Sequence, residues 1–203
     1  MGTDLSVVNA ARVSFAKESN EFSKQDAKLI HYLAKHNHWS PFGHASMQLH
    51  IKAPVFVARQ LVKHQVGLVW NEVSRRYVDD EVEFYEPDVW RGAPVNAKQG
   101  SSDVGVDINP RNMMVDDYKL ALDRAKWTYE HLLGQGVAPE QARMVLPQSM
   151  MTEWYWSGTL MAFARVCNLR CKSDTQLETQ MVANQIDEIG EEYFPYSWKA
   201  LTK

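Results

Sequence analysis

The sequence predicts an α+β fold. Amphipathic helical patterns and alternating strand patterns both occur along the 203 residues, without the regular strand–helix–strand order of a parallel sheet. Hydrophobic residues make up 45% of the chain and Trp occurs seven times, which is typical of a folded globular protein. A chain of this length suits one compact body with a sizeable core, so we predict a single domain over residues 1–203.

The first fifty residues carry clear helix and strand signals. Ser23 and Asp26 form the capping pattern SKQD, and the segment that follows, to about Asn37, has its apolar residues at helical spacing. HASMQLHIKA alternates apolar with polar side chains, which is typical of a strand with one buried face. These patterns predict a helix followed by a strand.

A second helix is predicted from Pro54, because proline suits the first turn of a helix. The predicted helix covers PVFVARQLVKHQ. Within it, Arg59 and Lys63 are four residues apart, as are Gln60 and His64, so each pair would share a helix face. Polar and cationic groups are therefore expected to crowd the C-terminal end of this helix.

The rest of the chain alternates between loop, helix and strand signals. Residues 87–112 are rich in Gly, Pro and Ser, which predicts a long, mobile loop of the kind that often has a function. The other predicted elements are a short strand in VEFYEP, a helix over 116–133 ended by Gly134 and Gly136, a short helix in APEQARMVLP, a strand in MTEWYWSG, and helices over about 159–168 and 174–192.

Composition narrows the functional class. The net charge of −3 argues against broad nucleic-acid binding, which requires a basic face. No apolar run approaches the roughly 18 residues of a membrane-spanning helix, and the first residues lack the pattern of a secretory signal. Two cysteines are too few for a disulfide scaffold. We therefore expect a cytoplasmic protein (of the host cytoplasm if a virus encodes it) with no membrane or nucleic-acid partner.

One segment of this slightly acidic chain gathers cations. KHQVGLVWNEVSRRY has Glu72 as its single acid, Arg59 just upstream, and a set of basic residues: Lys63, His64, Arg75 and Arg76. A phosphate or carboxylate needs cationic donors in fixed geometry, and a pyrimidine or flavin edge needs the donors and acceptors of Asn, Gln and Ser. The segment is therefore a candidate site for a small anionic ligand. The alternative is a solvated, charged loop.

Two arginines lie among apolar neighbours: Arg143 in ARMVLP and Arg170 in CNLRC. A buried or half-buried arginine needs an anionic or acceptor partner. That partner is either a bound ligand or a structural acid such as Glu140 or Glu178. Taken singly, each arginine favours the structural salt bridge.

Histidines and cysteines are further candidates for chemistry. HNHWSPFGH holds three histidines, but no Cys or carboxylate stands beside them at a metal-ligand spacing, so we predict no metal site and interpret them as surface or substrate-contacting residues. Cys167 and Cys171 lie four residues apart in a predicted helix, without the base that a nucleophilic cysteine needs. They are interpreted as small core residues.

Together these segments resemble a known family. ARQLVKHQVGLVWNEVSRRY resembles the signature of the flavin-dependent thymidylate synthases, which is Arg-His-Arg, a spacer and then Ser, with Asn-Glu before that Ser and Arg-Tyr after it. DLSVVNAARVSF, HNHWSPFGHASMQLHIKAPVFVARQ, ARMVLP and NLR fall in the family's order and spacing, so the resemblance covers nearly the whole chain. It implies a central antiparallel twisted sheet packed with helices, and a homotetramer whose active sites are shared between subunits.

The chain departs from the family pattern mostly on the flavin side. The family's Arg-His-Arg is Lys63-His64-Gln65, and eight residues, one more than in the family, separate Gln65 from Ser74. Members usually have a strand before the segment that matches residues 1–4. The other departures are Gly43 for a Glu, Asp174 for a His, and Thr159 and Arg165 for two asparagines that contact flavin. The nucleotide side is left largely intact.

The resemblance implies a role for each matching residue. Those expected to hold dUMP are Gln60, Lys63, Glu72, Val73, Ser74, Arg76, Arg143 and Arg170, with Arg143 reaching the phosphate from another subunit. Those expected to contact FAD are Ser14, Ser40, Lys63, His64, Gln65, Asn71, Glu72, Thr159, Arg165 and Asp174. Two residues have expected catalytic roles: His38 gates the site, and Arg170 stabilises negative charge on the uracil, because a guanidinium is always protonated.

The implied reaction is the reductive methylation of dUMP to dTMP. Methylenetetrahydrofolate supplies the carbon, and NADPH reduces FAD. One alternative is a variant enzyme that releases a hydroxymethyl product or uses dCMP. Alternatives of another class are a non-catalytic nucleotide-binding protein, and a protein whose basic segment binds DNA in a salt-dependent way.

Overall fold

The polypeptide combines helices with a small antiparallel sheet. Its structure is a computed structural model that describes residues 1–78, 80–94, 100–102, 105–106 and 113–203. The strands are β1 (Ser46–Pro54), β2 (Leu68–Glu72) and β3 (Met151–Thr159), in the order β1-β3-β2. The helices are α1 (Asp4–Arg12), α2 (Lys24–Lys35), α3 (Val55–Leu61), α4 (Met114–Gly134), α5 (Pro139–Ala142), α6 (Leu160–Arg170), α7 (Leu177–Tyr193) and α8 (Pro195–Thr202). The α+β class and the antiparallel sheet are thereby confirmed.

The internal contacts of the chain define two compact units. The first comprises Met1–His50, Val62–Trp70 and Tyr155–Lys203. The second comprises Ile51–Leu61 and Asn71–Trp154. The single domain over residues 1–203 stays a prediction.

Five helices, α1, α2, α6, α7 and α8, build the core of the first unit. The largest side chains that are fully removed from solvent there are Val7, Val8, Ile30, Phe42, Trp156, Leu160, Phe163, Val166 and Trp198. The Trp156 ring meets Phe163 edge-on at a centroid distance of 5.2 Å and Trp70 at 5.5 Å. Aromatic rings of this size each bury a large apolar area, so this aromatic group is a major part of the core of the first unit.

Helix α2 begins at the capping pattern that the sequence predicted. The backbone N–H and the hydroxyl of Ser23 both donate to Oδ2 of Asp26, at 2.8 and 2.7 Å. Arg12 of α1 forms an ion pair with the same carboxylate. Burial raises the pKa of Asp26, but the hydrogen bonds from Ser23 and the charge of Arg12 outweigh this effect and hold the pKa below its ordinary value. The capping box therefore also joins α2 to α1.

The packing of α8 against α7 requires a glycine. A Cβ on Gly190 would lie 2.4 Å from two atoms of the Trp198 indole, which is closer than any van der Waals contact allows. The indole Nε1 donates to Oδ1 of Asp187 at 2.7 Å, so the buried Trp198 ring also has its polar atom satisfied.

The second unit has its own apolar cluster beneath α4. Val82, Tyr129 and Ala142 are buried in it, and the partly buried side chains against them are Phe84, Leu132, Leu133, Val137, Leu146 and Met150. The predicted helix over 116–133 is confirmed as α4. None of the helices in the described ranges combines the length and the apolar character that crossing a membrane requires.

Several predicted elements need correction. Pro54 is the last residue of β1 rather than the first of a helix, and α3 ends at Leu61, before Lys63. The short strand predicted in VEFYEP is reduced to one antiparallel bridge, between Phe84 and Met150. Sequence patterns also missed α1, β2 and α8. Strand β2 was missed because LVWNE ends in the polar residues Asn and Glu, which weaken the strand pattern of this edge strand.

The predicted loop over 87–112 lies partly outside the described residues. Within it, residues 87–94, 100–102 and 105–106 are described, and they include an antiparallel bridge between Arg91 and Gly105. Nε of Arg91 also donates to Oγ of Ser101 at 2.7 Å. The prediction for the remaining positions stays untested.

Replacing Asp4 with alanine is expected to lower the free energy of unfolding by about 2 kcal/mol. The buried Asp4 carboxylate accepts from the backbone N–H groups of Tyr196 and Ser197, at 3.0 and 2.8 Å, so it caps α8 from α1. Asp4→Asn keeps one oxygen acceptor and should lose less. Urea unfolding followed by circular dichroism checks this, and an unchanged midpoint in Asp4→Ala would contradict the capping role.

Candidate functional site

The end of α3 places the basic segment differently from the prediction. Because α3 ends at Leu61, Lys63 and His64 lie beyond it, in the connection to β2. The predicted helical pairs Arg59/Lys63 and Gln60/His64 are therefore wrong. Gln60 is half-buried in the last helical turn, whereas the Lys63 side chain is exposed.

Residues 64–67 run along helix α6 of the first unit. Arg170, in the last turn of α6, donates from Nε to Nε2 of His64 at 3.0 Å. At the other end of the helix, the Thr159 N–H donates to the Gly67 carbonyl at 3.1 Å. A Cβ on Gly67 would lie 3.1 Å from the Cβ of Ala162, and its φ of +77° also favours glycine. The segment is thus held at both ends of α6, with His64 beside Arg170.

His64 is held in its neutral form. Burial lowers its pKa, and the positive charges of Arg170 and Arg165 lower it further. Since Nε2 accepts the hydrogen bond from Arg170, the single proton of the neutral ring belongs on Nδ1. The Nη groups of Arg170 have no hydrogen-bond partner in the described part of the chain, so they are free to meet a ligand.

The other residues of the first unit that are predicted to contact flavin are mostly exposed. Exposed side chains are those of Ser14, Ser40, Lys63, Gln65, Arg165 and Asp174. Two cations and two hydroxyls form a donor set that fits the diphosphate and ribityl hydroxyls of FAD, whereas the Asp174 carboxylate does not add to it. Oγ1 of Thr159 accepts from the Ala162 N–H at 3.2 Å, so this residue caps α6. In chemical type, this donor set is compatible with a flavin cofactor.

His38, the predicted gating residue, lies in an exposed aromatic group. Its ring centroid is 6.1 Å from that of Tyr32 and 6.4 Å from that of His36. It also lines a cavity of about 210 Å³ with Trp39 and Phe42. Among the described residues, no group of three or more His, Cys, Asp or Glu side chains is arranged to hold a metal ion.

A larger cavity, of about 620 Å³, lies wholly within the second unit. It brings three residues of the predicted dUMP set together: Glu72, Val73 and Arg143. Its polar lining also includes Arg59, Arg75, Glu140, Gln148 and Thr152, and its apolar lining consists of Val55, Met144, Leu146, Pro147, Met150 and Met151. Ligand cavities of small molecules commonly measure about 300–1,000 Å³ and combine an apolar wall with a few polar groups. Arg143 is exposed, not half-buried as its apolar neighbours suggested.

A threonine that the sequence did not single out orients Glu72. The buried Thr152 of β3 donates from Oγ1 to Oε1 of Glu72 at 2.8 Å. The two residues are 80 positions apart in the chain, so no local pattern reveals the pair. The hydrogen bond fixes one carboxylate oxygen and gives Glu72 a defined position on the cavity wall.

Four predicted residues of the second unit are not among the described residues that line this cavity: Gln60, Asn71, Ser74 and Arg76. Oγ of Ser74 accepts from Nε of Arg76 at 3.0 Å, and the guanidinium lies 4.9 Å from the centre of the Tyr77 ring. The Val73 N–H donates to the Glu153 carbonyl at 2.9 Å, so only the Val73 carbonyl is left for a backbone contact with a ligand.

Arg75 has a structural role rather than a binding role. Its Nη1 donates to the backbone and side-chain oxygens of Asp80, at 2.6 and 2.9 Å, and its Nη2 donates to the Glu81 carbonyl at 3.0 Å. The residue is buried. These bonds stabilise the turn after β2. Arg75 is therefore no longer a candidate among the cations that the sequence suggested for binding a ligand.

The prediction that both cysteines are core residues is confirmed for Cys167 but not for Cys171. Cys167 is buried and Cys171 is half-buried. Burial raises the pKa of both thiols, which keeps them protonated at neutral pH. Neither side chain is therefore a poised nucleophile.

Comparison with known proteins agrees with this geometry. Residues 1–196 match the family model described as thymidylate synthase complementing protein. A flavin-dependent thymidylate synthase of Thermus thermophilus is 40% identical over 205 residues, which cover 98% of this chain and 72% of that protein. The corresponding protein of Thermosipho africanus is 38% identical over 203 residues, covering 100% and 88%.

A solved structure is also similar over nearly the whole fold. The UMP/dUMP methylase PolB from Streptomyces cacaoi, bound with 5-Br dUMP, superposes with a TM-score of 0.85 at 33% identity, covering 99% of this chain and 91% of that one. The family resemblance inferred from the sequence is thereby confirmed. The chain belongs to the flavin-dependent thymidylate synthase family and is a methyltransferase enzyme.

Proposed function

We propose that this enzyme methylates dUMP to dTMP, with methylenetetrahydrofolate as the carbon donor and with FAD that NADPH reduces. The observation that carries the proposal is the likeness to a UMP/dUMP methylase whose structure holds 5-Br dUMP, together with a cavity in this chain of suitable size and polarity. Inside that cavity, an arginine suits the phosphate, and a carboxylate suits the donors of the ribose or the ring.

In this proposal the second unit supplies the nucleotide contacts. Arg143 binds the phosphate, and Glu72, which is oriented by Thr152, accepts from an N–H or O–H of the nucleotide. The carbonyl of Val73 offers a second acceptor. Ser74, Arg76 and the remaining predicted residues keep their dUMP roles as proposals. So does the homotetramer with shared sites, in which this cavity, with Arg143, would bind a nucleotide that a neighbouring subunit also contacts.

Arg170 is proposed to stabilise negative charge on the uracil. Its Nε donates to Nε2 of His64, and this hydrogen bond fixes the plane of the guanidinium. The Nη hydrogens are then left to face the uracil ring. A positioned, permanently charged donor lowers the barrier most where charge develops in the transition state. His64 is thereby a positioning residue for Arg170, in addition to its proposed flavin contact.

The flavin is proposed to lie on the exposed donor set of the first unit. Bound flavin would supply the reducing equivalents for methylation. Lys63 and Arg165 would meet its diphosphate, and Ser14 and Ser40 its hydroxyls. His38 is proposed to gate access from its exposed aromatic group.

UMP is a second candidate substrate. A further structure of PolB holds 5-Br UMP. The two substrates differ only in the ribose 2′-hydroxyl, which adds one donor and one acceptor. Competition between labelled dUMP and unlabelled UMP measures the preference.

Turnover is expected to persist at pH 6.5, the ordinary pKa of histidine, and to fall only at lower pH, because the pKa of His64 is lowered. The folded chain lowers the pKa of His64, so the neutral form and its bond from Arg170 are complete above the ordinary value and are lost as the pH falls through the lowered one. Protonated His64 would present an N–H to the Nε–H of Arg170. The pH profile of kcat checks this.

The matched variant for this profile is His64→Gln. Its carbonyl oxygen can accept from Arg170 at every pH, so kcat should be lower but should lose the acid-side decline. An identical decline in wild type and variant would contradict the positioning role.

The proposed function is tested by anaerobic NADPH consumption in the presence of FAD. Beyond the one equivalent of NADPH that reduces the flavin itself, consumption is expected to require both dUMP and methylenetetrahydrofolate. Consumption that is unaffected by omitting dUMP, or a chain that retains no flavin, would contradict the proposal. The latter result would favour the non-catalytic nucleotide-binding protein.

A further inference from the structure

The large cavity of the second unit contains an arginine to which the family resemblance assigned no role, although the sequence placed its charge next to the candidate anion site. Arg59 lies in the last turn of α3, with an exposed side chain, and lines the same cavity as Arg143. Within the described part of the chain, the guanidinium groups of both residues lack ion-pair partners. Each therefore keeps its full set of N–H donors for an anion.

The third arginine of this wall shows the contrast. Arg75 is buried, and Asp80 and Glu81 take its Nη donors, so its charge is neutralised within the protein. Such contacts are typical of an arginine that stabilises the fold. Arg59 has no such bonds, and α3 does not need its guanidinium for stability, because the helix is anchored by Val57, Ala58 and Leu61, which are buried.

The acids of the cavity restrict the kind of anion. Glu72 and Glu140 also line it, so a ligand that offers only negative charge would meet repulsion there. A suitable ligand combines an anionic group for the arginines with N–H or O–H donors for a carboxylate, and it has an apolar face for the methionine-rich wall. A nucleoside monophosphate has all three features.

We propose that Arg59 binds the 5′-phosphate of the nucleotide substrate together with Arg143, an inference that rests on the proposed function. Phosphate carries close to two negative charges at neutral pH. Two guanidinium groups from separate elements, α3 and the turn that begins at Arg143, match that charge and fix the phosphate from two sides of the wall.

A cycle that changes the residue and the ligand together tests this role. Wild type and Arg59→Gln are titrated calorimetrically with dUMP and with deoxyuridine, which lacks the phosphate, both with FAD present. We expect the variant to bind dUMP about 10-fold to 100-fold more weakly, the range for a charge-assisted hydrogen bond, and to bind deoxyuridine as the wild type does. Arg59→Lys keeps the charge without the fork and should recover part of the loss.

Arg124→Gln is the matched control. Arg124 is an exposed arginine of the same unit, stacked 4.4 Å from the centre of the Trp127 ring and absent from the cavity lining. Its replacement should leave both affinities unchanged. If Arg59→Gln is insoluble, Arg59→Lys carries the test, with a smaller loss confined to dUMP.

Three results for Arg59→Gln would overturn the role of Arg59 alone. They are an unchanged affinity for dUMP, an equal loss of affinity for dUMP and deoxyuridine, or a loss of affinity for FAD only. In each case the wild type still binds dUMP and the proposed function stands. A wild-type chain that does not bind dUMP would overturn the proposed function and this inference together.

Discussion

Replacing Arg170 with alanine is expected to lower kcat by about 10²–10³-fold, the usual loss when a charge-stabilising donor is removed. The truncation removes the cation proposed to face the uracil and leaves His64 without the donor to its Nε2. Arg170 is half-buried at the end of α6 and is not among the residues buried by that helix. The folded state of the wild type should therefore persist.

Two further measurements separate catalysis from structure in this variant. Thermal unfolding should show a small shift, and Arg170→Lys should recover only part of kcat, because an ammonium cannot donate to His64 and present a planar fork to the ring at once. Wild-type turnover in a purified, folded Arg170→Ala chain would show that the assigned role is wrong.

Replacing Arg143 with alanine is expected to weaken dUMP binding by about 10-fold to 150-fold, as the loss of a hydrogen bond to a charged group predicts. Its guanidinium lines the large cavity and has no ion-pair partner among the described residues. Because it contacts a part of the substrate that does not react, KM should rise more than kcat falls.

The control for Arg143→Ala is stability. The side chain is exposed, so unfolding should change by no more than about 0.5 kcal/mol. Arg124→Ala should leave dUMP binding as it is in the wild type. Equal affinities of Arg143→Ala and wild type for dUMP would remove Arg143 from the phosphate site.

Local signals predicted the elements whose causes are local. The helix α2 follows from the Ser23/Asp26 capping box, and β1 follows from its alternating pattern. In contrast, β2 exists because its backbone pairs with β3, far along the chain, and its sequence ends in polar residues. A strand that depends on a distant partner has no strong signature of its own.

The candidate site likewise combines residues that a local pattern identifies with contacts that only the fold creates. Its motif residues could be identified from the sequence, since the family pattern names them. The pairs His64–Arg170 and Glu72–Thr152 are separated by 106 and 80 positions, so only the fold brings them together. Arg75 lies in the motif but stabilises the turn after β2. Arg59 was identified from the sequence only as a nearby charge, and the structure shows that it lines the same cavity as Arg143.

The mass of the nucleotide product tests the central claim most directly. The wild-type chain is incubated with FAD, NADPH and methylenetetrahydrofolate, and with dUMP or dCMP in separate reactions, and the nucleotides are analysed by mass spectrometry. We expect dUMP to gain a methyl group and dCMP to remain unchanged. A hydroxymethylated nucleotide, or a product from dCMP alone, would contradict the proposed reaction and show that the departures on the flavin side redirect the chemistry.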